Sequence, residues 1–371
     1  MSKWTNLSYA NVATTSLSAH KIASEWADSL ARGGAAEFDG DAEKDGMLPL
    51  RKSASELLSC DFGDVCVGSS ATELLCSIAW AIAPEAGSNI VSSKASFPST
   101  VYPWARVAES NGAEIRLAEH DERLYTDPTD LLSLIDERTS VVTVSHVEFS
   151  TGQRYDLGAL SDAAHSVGAL LVVDATQSMG MLPIDAYRSG ADAIVSSGYK
   201  WLRGTYGAAV GYISPSIVGG LNPGLVGFRS HSDLWDLRAD RLELPADASR
   251  FEFTTLHFGA ALGLAAAIDE LNEIGIGEVW KHNLALADLV IEVAGDLSLE
   301  VASPLSEMER SAIVSLLLPI GVSSVDVARR LQDEYSILVT SRSGLLRVSP
   351  HIDNNEGEIR ALSSALSEII S

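Results

Sequence analysis

The sequence predicts an α/β fold in which a large domain is built on a mainly parallel seven-stranded sheet and is followed by a smaller α+β domain. Apolar segments of strand length alternate with segments of helical periodicity through most of the chain. The 371 residues are 46% hydrophobic, which is enough to bury the cores of two or three domains. Beyond Gly275, helical and strand-like segments continue as a separate mixed unit.

Seven apolar segments are predicted as the strands of the large sheet. They cover residues 64–67, 89–92, 114–117, 141–145, 170–174 and 191–196, and 208–213 closes the series. Helices are expected between them. The rest is predicted as a long helix at 256–274, a helix after Gly275, strand-like segments at 297–302, 311–318 and 345–348, and a helix at 324–334. We therefore expect an N-terminal arm at 1–20, a large domain at 21–255, and a linking helix with a small domain at 256–371.

The composition excludes several classes of partner. The chain has 26 Lys and Arg against 50 Asp and Glu, and its net charge of −24 repels nucleic acid and anionic membrane surfaces. The apolar stretches 74–83 and 259–268 are shorter than the roughly 20 residues of a membrane span, and no apolar signal segment follows Met1. We therefore expect a cytoplasmic protein. Three cysteines without CxxC spacing predict core thiols, with neither a disulfide framework nor a metal site: Cys60, Cys66 and Cys76.

Lys200 and Asp174 carry the main functional signal. Asp174 ends a predicted parallel strand, and Lys200 follows the next strand after about one crossover. Ligands bind at the carboxyl ends of such strands. A pyridoxal phosphate site needs a lysine that forms a Schiff base and a carboxylate that keeps the pyridine nitrogen protonated. The pair therefore predicts a pyridoxal phosphate enzyme with Lys200 as the catalytic lysine.

A candidate phosphate site follows the first predicted strand. Residues 68–73 read Gly-Ser-Ser-Ala-Thr-Glu and open an apolar helix, whose first amides and macrodipole suit a dianion. An ordinary N-cap is the alternative interpretation. A dinucleotide site is not indicated, because neither GxGxxG nor GxxxxGK[ST] follows a strand.

Three segments in order, 70–73, 174–178 and 197–200, resemble motifs of the class V aminotransferase family. This group of fold-type-I pyridoxal phosphate enzymes includes cysteine desulfurases, kynureninase and isopenicillin N epimerase. The resemblance implies phosphate contacts from Ala71, Thr72, Ser197 and Tyr199. It makes Asp174 the pyridinium partner and Gln177 the donor to the cofactor's phenolic oxygen.

The resemblance extends to further segments of the chain, and these imply contacts with the cofactor ring, the substrate and a second subunit. Phe97, in the stretch 96–104, would stack on the cofactor ring. Thr255 would reach the phosphate of the neighbouring subunit and so implies a homodimer, although Thr254 stands where the family has glycine. Arg347 would hold the substrate α-carboxylate, and Asp353 replaces a family tyrosine nearby. His146 is either a substrate contact or a structural residue.

The reaction is not fixed by these motifs. Cysteine desulfurases carry a nucleophilic cysteine shortly before the Arg347 strand, whereas residues 340–344 read Thr-Ser-Arg-Ser-Gly. We therefore expect β-elimination from cysteine or a cysteine S-conjugate first, and transamination second. Epimerisation, decarboxylation and a non-catalytic cofactor-binding scaffold stay open as further alternatives. The loop 224–231 is either a solvated loop or a cover for the neighbouring site, with Arg229 or His231 binding a distal group of the substrate.

Overall fold

The structure is a computed structural model that describes residues 4–370; residues 1–3 of the predicted arm and residue 371 lie outside that range. Strands β1 to β13 are, in chain order, Thr5–Asn6, Val65–Gly68, Asn89–Ser93, Glu114–Ala118, Thr139–Ser145, Leu170–Asp174, Ala193–Ser197, Ala209–Ile213, Glu300–Val301, Val314–Leu317, Ile337–Leu338, Thr340–Arg342 and Leu345–Val348. Helices α1 to α12 are Leu17–Gly33, Gly40–Asp45, Leu48–Leu58, Ala71–Ile82, Pro98–Asn111, Pro128–Ser133, Leu157–Ser166, Pro215–Val218, Phe258–Ile274, Ile276–Asp296, Ser324–Tyr335 and Glu356–Ile370.

The large sheet has seven strands in the order β2-β8-β7-β6-β5-β3-β4. β8 runs antiparallel to both of its neighbours, and the other pairs are parallel. The predicted mainly parallel seven-stranded sheet is therefore confirmed. Because β5, β6 and β7 are parallel, their carboxyl ends meet at one edge and bring the side chains that follow them together.

Two hydrophobic cores cover the two faces of this sheet. Along β6, Leu171 and Val173 point into one core, whereas Val172 points into the other. This alternation follows from the two-residue period of a strand. Helix α4 packs on the second face, and α9 packs with α1 and α3 on the first. The result is a three-layer α/β/α arrangement.

The C-terminal part forms a four-stranded antiparallel sheet in the order β12-β13-β10-β9, with a core of its own. Leu7 joins this core, and β1 pairs in parallel with β11, so the start of the described chain packs on the small sheet. Only Glu300–Val301 of the predicted segment 297–302 is a strand. Helix α10 continues to Asp296, and Ser298 turns the chain with a φ of 53°.

Helix α10 spans both parts of the fold, because Val279 lies in the large-domain core and Leu286 in the small one. The preceding helix α9 belongs to the large-domain core. The domain limits proposed from the sequence stay a prediction. Within residues 4–370, no helix combines the length and the apolar character that crossing a membrane would require.

Candidate active site

One cavity collects most of the side chains predicted to act on a cofactor. It lies where β5, β6 and β7 end and α4 begins. Its walls are formed by Ala71, Thr72, Phe97, Ser99, Ser145, Val147, Phe149, Asp174, Thr176, Gln177, Ser197, Tyr199 and Lys200. Eight predicted cofactor residues are thus brought together from four separate segments of the chain.

Lys200 is buried in this cavity. Burial lowers the pKa of its ammonium from 10.5 to about 8; the charge of Asp174 acts in the opposite direction, and those of Arg347 and Arg342 lower it further. Its Nζ lies 5.6 Å from the ring centroid of Phe97. About a tenth of the amine is therefore uncharged at pH 7, far more than for an ordinary lysine, and the uncharged amine is the form that can act as nucleophile or base.

The loop that carries Lys200 is held tightly against α9. A Cβ atom added at Gly198 would lie 2.5 Å from a side-chain carbon of Leu264, so any larger residue there would force the Leu264 side chain to move. The N–H of Gly204 donates to the carbonyl of Gly198 at 2.8 Å, and the N–H of Arg203 donates to the carbonyl of Lys200 at 2.8 Å. These contacts fix the direction of the lysine side chain.

Asp174 is held by two donors at the end of β6. Its Oδ1 accepts from the backbone N–H of Thr176 at 2.9 Å, and its Oδ2 accepts from the hydroxyl of Thr100 at 3.1 Å. These two contacts hold the carboxylate in place at the end of the strand. A carboxylate in this position is the partner that a protonated pyridine nitrogen requires.

The start of α4 supplies the expected anion site. Ser70 caps the helix by accepting from the N–H of Glu73 at 3.2 Å, and the N–H of Ala71 donates to the hydroxyl of Ser197 at 3.0 Å. The hydroxyl of Thr72 donates to Ser99 at 2.9 Å. First-turn amides have no acceptor within their helix, so amides and hydroxyls converge here on the space a phosphate would fill.

Gln177 is oriented by its surroundings. The indole N–H of Trp201 donates to its Oε1 at 2.9 Å, and its Nε2 donates to the carbonyl of Ala10 at 2.9 Å. Trp201 can only donate, which fixes the orientation of the amide. Nε2 retains one further hydrogen for the donor role inferred from the sequence.

Aromatic rings form the outer walls. Phe97 is 41% exposed and meets Phe149 edge to face, with ring centroids 5.3 Å apart. Tyr199 stacks on Tyr206 at 4.4 Å. The rings of Phe97 and Tyr199 thus flank the Lys200 amine, and Phe97 and Tyr206 each keep an exposed ring surface.

Glu148 supports the aromatic wall from behind. It is fully buried and accepts from the hydroxyl of Ser96 at 2.8 Å. Ser96 directly precedes Phe97 in the chain. Burial raises the pKa of its carboxyl from 4.5 to about 8, so it is mostly protonated at neutral pH.

Arg347 lies on β13 and is only 1% exposed. Its Nη1 donates to the carbonyl of Phe149, a residue of the cavity wall, while Nε and Nη2 are buried without any partner among the described residues. Burial, with a smaller effect from the charge of Arg342, lowers the pKa of the guanidinium to about 9. Two free donors on a buried cation match a bidentate carboxylate ligand.

Two predicted site residues lie elsewhere. His146 follows Ser145 at the end of β5 and points away from Lys200, towards Arg154 and Asp185. Burial, with a smaller effect from Arg154, lowers the pKa of His146 to about 3, so it is neutral. Thr255 is exposed, and its hydroxyl donates to Glu43 at 3.3 Å. Neither residue lines the cavity.

The loop 224–231 and Asp353 make contacts within the chain. Arg229 donates to the carbonyl of Glu43 at 2.9 Å, and His231 interacts with Asp233, so neither enters the cavity. Asp353 accepts from the hydroxyl of Tyr9 at 2.7 Å and from Arg203 at 2.8 Å. This replacement for the family tyrosine ties the N-terminal segment to the lysine loop.

Sequence reasoning missed several side chains in and around the cavity. Ser145 is the last residue of β5 and Thr176 follows β6, whereas Thr100 reaches Asp174 from helix α5. Position at the end of a strand could have identified Ser145 and Thr176. No sequence signal indicates Thr100, because the fold brings it across from another element. The same holds for Ala13, whose N–H donates to the carbonyl of Tyr199 at 3.1 Å.

The family model described as aminotransferase class-V matches residues 20–361. The chain belongs to the class V aminotransferase family. A probable cysteine desulfurase of Methanothermobacter thermautotrophicus is 26% identical over 342 residues, which cover 87% of this chain and 83% of the relative. Kynureninase of Deinococcus radiodurans is 29% identical over 291 residues, which cover 76% of this chain and 69% of the relative. The solved complex of the cystine C–S lyase C-DES with cysteine persulfide superimposes with a TM-score of 0.90 at 20% identity. The match covers 99% of this chain and 98% of the C-DES chain.

This class V enzyme uses pyridoxal phosphate, and the residues present fit that cofactor. Lys200 offers a buried amine with a lowered pKa, and Asp174 offers a carboxylate at the next strand end. The first turn of α4 and the hydroxyl of Ser197 offer donors for the phosphate. The fold-type-I architecture expected from the sequence is also confirmed by the structural match.

Proposed function

We propose that this enzyme is a C–S lyase that carries out β-elimination on cysteine or a cysteine S-conjugate. The relatives named cysteine desulfurase and cystine C–S lyase support a sulfur-containing amino acid as substrate. Transamination is the second candidate, and it shares every residue of the cavity described above. The two reactions differ in what happens after a proton leaves Cα.

The bound cofactor would supply an electron sink for the substrate's Cα. Lys200 would remove the proton from Cα, since its amine is buried in the cavity and has a pKa near 8. Arg347 would orient the substrate by binding its α-carboxylate with the two free donors. Phe97 and Phe149 would exclude water from the reacting atoms.

The absence of a thiol beside Arg347 carries the choice of elimination. Ser343 and Gly344 have φ values of 49° and 84°, and they alone connect β12 to β13 in a two-residue hairpin turn. The chain's three cysteines are Cys60, Cys66 and Cys76, and none of them lines the cavity. Burial raises the pKa of all three thiols. With no thiolate to accept sulfur, the sulfur atom would leave as sulfide, persulfide or a free thiol.

The test is a stopped-flow absorbance scan of the cofactor-loaded enzyme with L-amino acids and cysteine S-conjugates. Pyruvate, released thiol and pyridoxamine phosphate are then assayed in the same samples. Stoichiometric pyruvate and thiol would support the lyase. Conversion of the cofactor to pyridoxamine phosphate with a keto acid product would instead establish an aminotransferase and contradict the proposal.

We further propose that the working unit is a homodimer with shared active sites. Thr255 faces away from the cavity of its own chain, and Tyr206, stacked on the cavity residue Tyr199, is 62% exposed. A second copy would cover this aromatic surface and bring its Thr255 to the phosphate end.

A mixing experiment tests the shared site. Lys200→Ala and Thr255→Ala each damage a site, but a heterodimer of the two would contain one site with both residues intact. Recovery of activity after subunit exchange would support sharing. A mixture as inactive as its components, with heterodimers verified by mass, would contradict it.

A further inference from the structure

Arg342 lies on the same face of the small sheet as Arg347. In the antiparallel pair of β12 and β13, Thr340 lies opposite Arg347 and Arg342 lies opposite Leu345. Opposite residues share a face, and so do residues two apart in one strand. Arg342 therefore projects from the same side of the ladder as Arg347, one step nearer the hairpin turn.

Arg342 does not itself line the Lys200 cavity, but its contacts tie it to residues 10–11, which adjoin the cavity wall. Its Nη2 donates to the side-chain oxygen of Asn11 at 2.8 Å. The residue before Asn11 is Ala10, whose carbonyl accepts from Gln177 in the cavity wall. The charge of Arg342 also adds to the effect of burial in lowering the pKa of both Lys200 and Arg347.

Positive charge thus collects beside the cavity in a strongly acidic protein. Among residues 4–370, neither Arg342 nor Arg347 forms an ion pair with a carboxylate. Asp174 offsets part of the charge at Lys200, and its place is next to the pyridine nitrogen. The chain as a whole carries a net charge of −24, so carboxylates are plentiful but are kept from these two guanidiniums. Two unpaired arginines on one face match a ligand with two anionic groups.

We propose that Arg342 determines specificity by binding an anionic group at the far end of the substrate side chain. On the proposed lyase function, on which this inference rests, the preferred substrate is a cysteine S-conjugate whose sulfur substituent carries a carboxylate or sulfonate. Arg347 holds the α-carboxylate and Arg342 the distal anion. A substrate whose sulfur substituent is uncharged would leave Arg342 without a ligand.

S-carboxymethyl-L-cysteine is a suitable probe. Its elimination breaks the Cα–H and Cβ–S bonds, and the sulfur leaves with the bonding electrons and a proton as thioglycolate. With one water, the remaining three carbons and the nitrogen leave as pyruvate and ammonia. S-carbamoylmethyl-L-cysteine undergoes the same reaction and has nearly the same size, but its distal group is neutral.

The experiment compares kcat/KM for the two probes in wild type, Arg342→Gln and Arg329→Gln. Arg329 is an exposed residue of α11 that pairs with Asp326, so it serves as a matched control. Wild type and the control should prefer the acid by about tenfold or more, the size expected of one charge-assisted contact. Arg342→Gln should bring the ratio close to one by lowering only the value for the acid. Equal values in wild type, or an equal fall for both probes in Arg342→Gln, would overturn the assignment.

A binding measurement separates this inference from the lyase proposal. The deamino analogues 3-(carboxymethylthio)propanoate and 3-(carbamoylmethylthio)propanoate cannot react, and calorimetric titration gives their dissociation constants. If neither cysteine conjugate is eliminated but the diacid binds about tenfold more tightly in an Arg342-dependent way, the lyase proposal fails and the Arg342 site stands. Equal binding of both analogues in wild type overturns the Arg342 site whatever the reaction.

Discussion

Two buried arginines in different parts of the molecule are satisfied in opposite ways. Arg250, in the large domain, donates through Nε and Nη2 to the carbonyl of Pro245 and through Nη1 to the carbonyls of Val218 and Leu221. Arg347, in the small domain, has a single backbone acceptor and two buried nitrogens without partners. Arg250 therefore holds the chain together, whereas Arg347 is built for a ligand that completes it.

The same contrast extends to the rest of each region. Around Arg250 the carbonyl oxygens of two loops are used up by one guanidinium, and no cavity residue is involved. Around Arg347, charge accompanies burial in lowering pKa values. The charge of Arg342 lowers the pKa of Arg347, and the charge of Arg347 lowers the pKa of Lys200. Substitutions at Arg250 should therefore change stability, and substitutions in the cavity should change catalysis and binding.

Replacing Lys200 by alanine should have the largest effect on the cavity side of this contrast. Turnover should fall by roughly 10³-fold or more, because the variant lacks the nucleophile and general base, while part of the cofactor stays bound through the phosphate and Asp174 contacts. The measurement is turnover together with cofactor content after gel filtration. Full activity in Lys200→Ala would remove the lysine from the mechanism.

Among substitutions that act on the fold, Arg250→Ala should cause the largest loss of stability. The carbonyls of Pro245, Val218 and Leu221 would lose their donors, and the free energy of unfolding should fall by about 3 kcal/mol. Urea unfolding of the cofactor-free protein measures this change. Arg347→Ala is the matched comparison, and its loss should be smaller because an unpaired buried cation disappears with the side chain. An equal or larger loss in Arg347→Ala would break the contrast.

The charge on Lys200 should give the protein a pH-dependent stability that a neutral residue lacks. Below pH 8 the folded protein bears the buried ammonium. Between pH 8 and 10.5 the unfolded state holds more protons than the folded state, so stability rises with pH. Relative to Lys200→Met, cofactor-free wild type should gain roughly 3 kcal/mol across that interval, since one pKa unit corresponds to about 1.4 kcal/mol. Parallel stability curves for the two proteins from pH 7 to pH 10 would show that the lysine is not desolvated.

Arg347→Ala should have the smallest of these effects, and it should appear in substrate binding. KM should rise about 30-fold, or roughly 2 kcal/mol, because a charge-assisted contact with the α-carboxylate is lost. Arg347→Lys should recover only part of this loss, because an ammonium cannot form the bidentate pair. If the KM of Arg347→Ala lies within twofold of the wild-type value, another residue must bind the α-carboxylate.

Parts of this molecule were predictable from local pattern. The predicted segments 170–174 and 345–348 coincide with β6 and β13. Both are short, mostly buried and mostly apolar segments, so the limits of the apolar pattern agree with the limits of the hydrogen-bonded strand. The segment 297–302 failed because Leu297 ends a helix in which tertiary packing, not local pattern, determines the length.

The sequence by itself determined the α/β class, the cofactor and the pairing of Lys200 with Asp174, because strand ends and short motifs are local features that a chain carries wherever it folds. The tertiary structure decided how those features are used. Thr100 holds Asp174, His146 points away from Lys200, and Arg342 shares a face with Arg347 only because distant segments pack and pair as they do. Contacts of that kind depend on register and packing between elements, which no local pattern encodes.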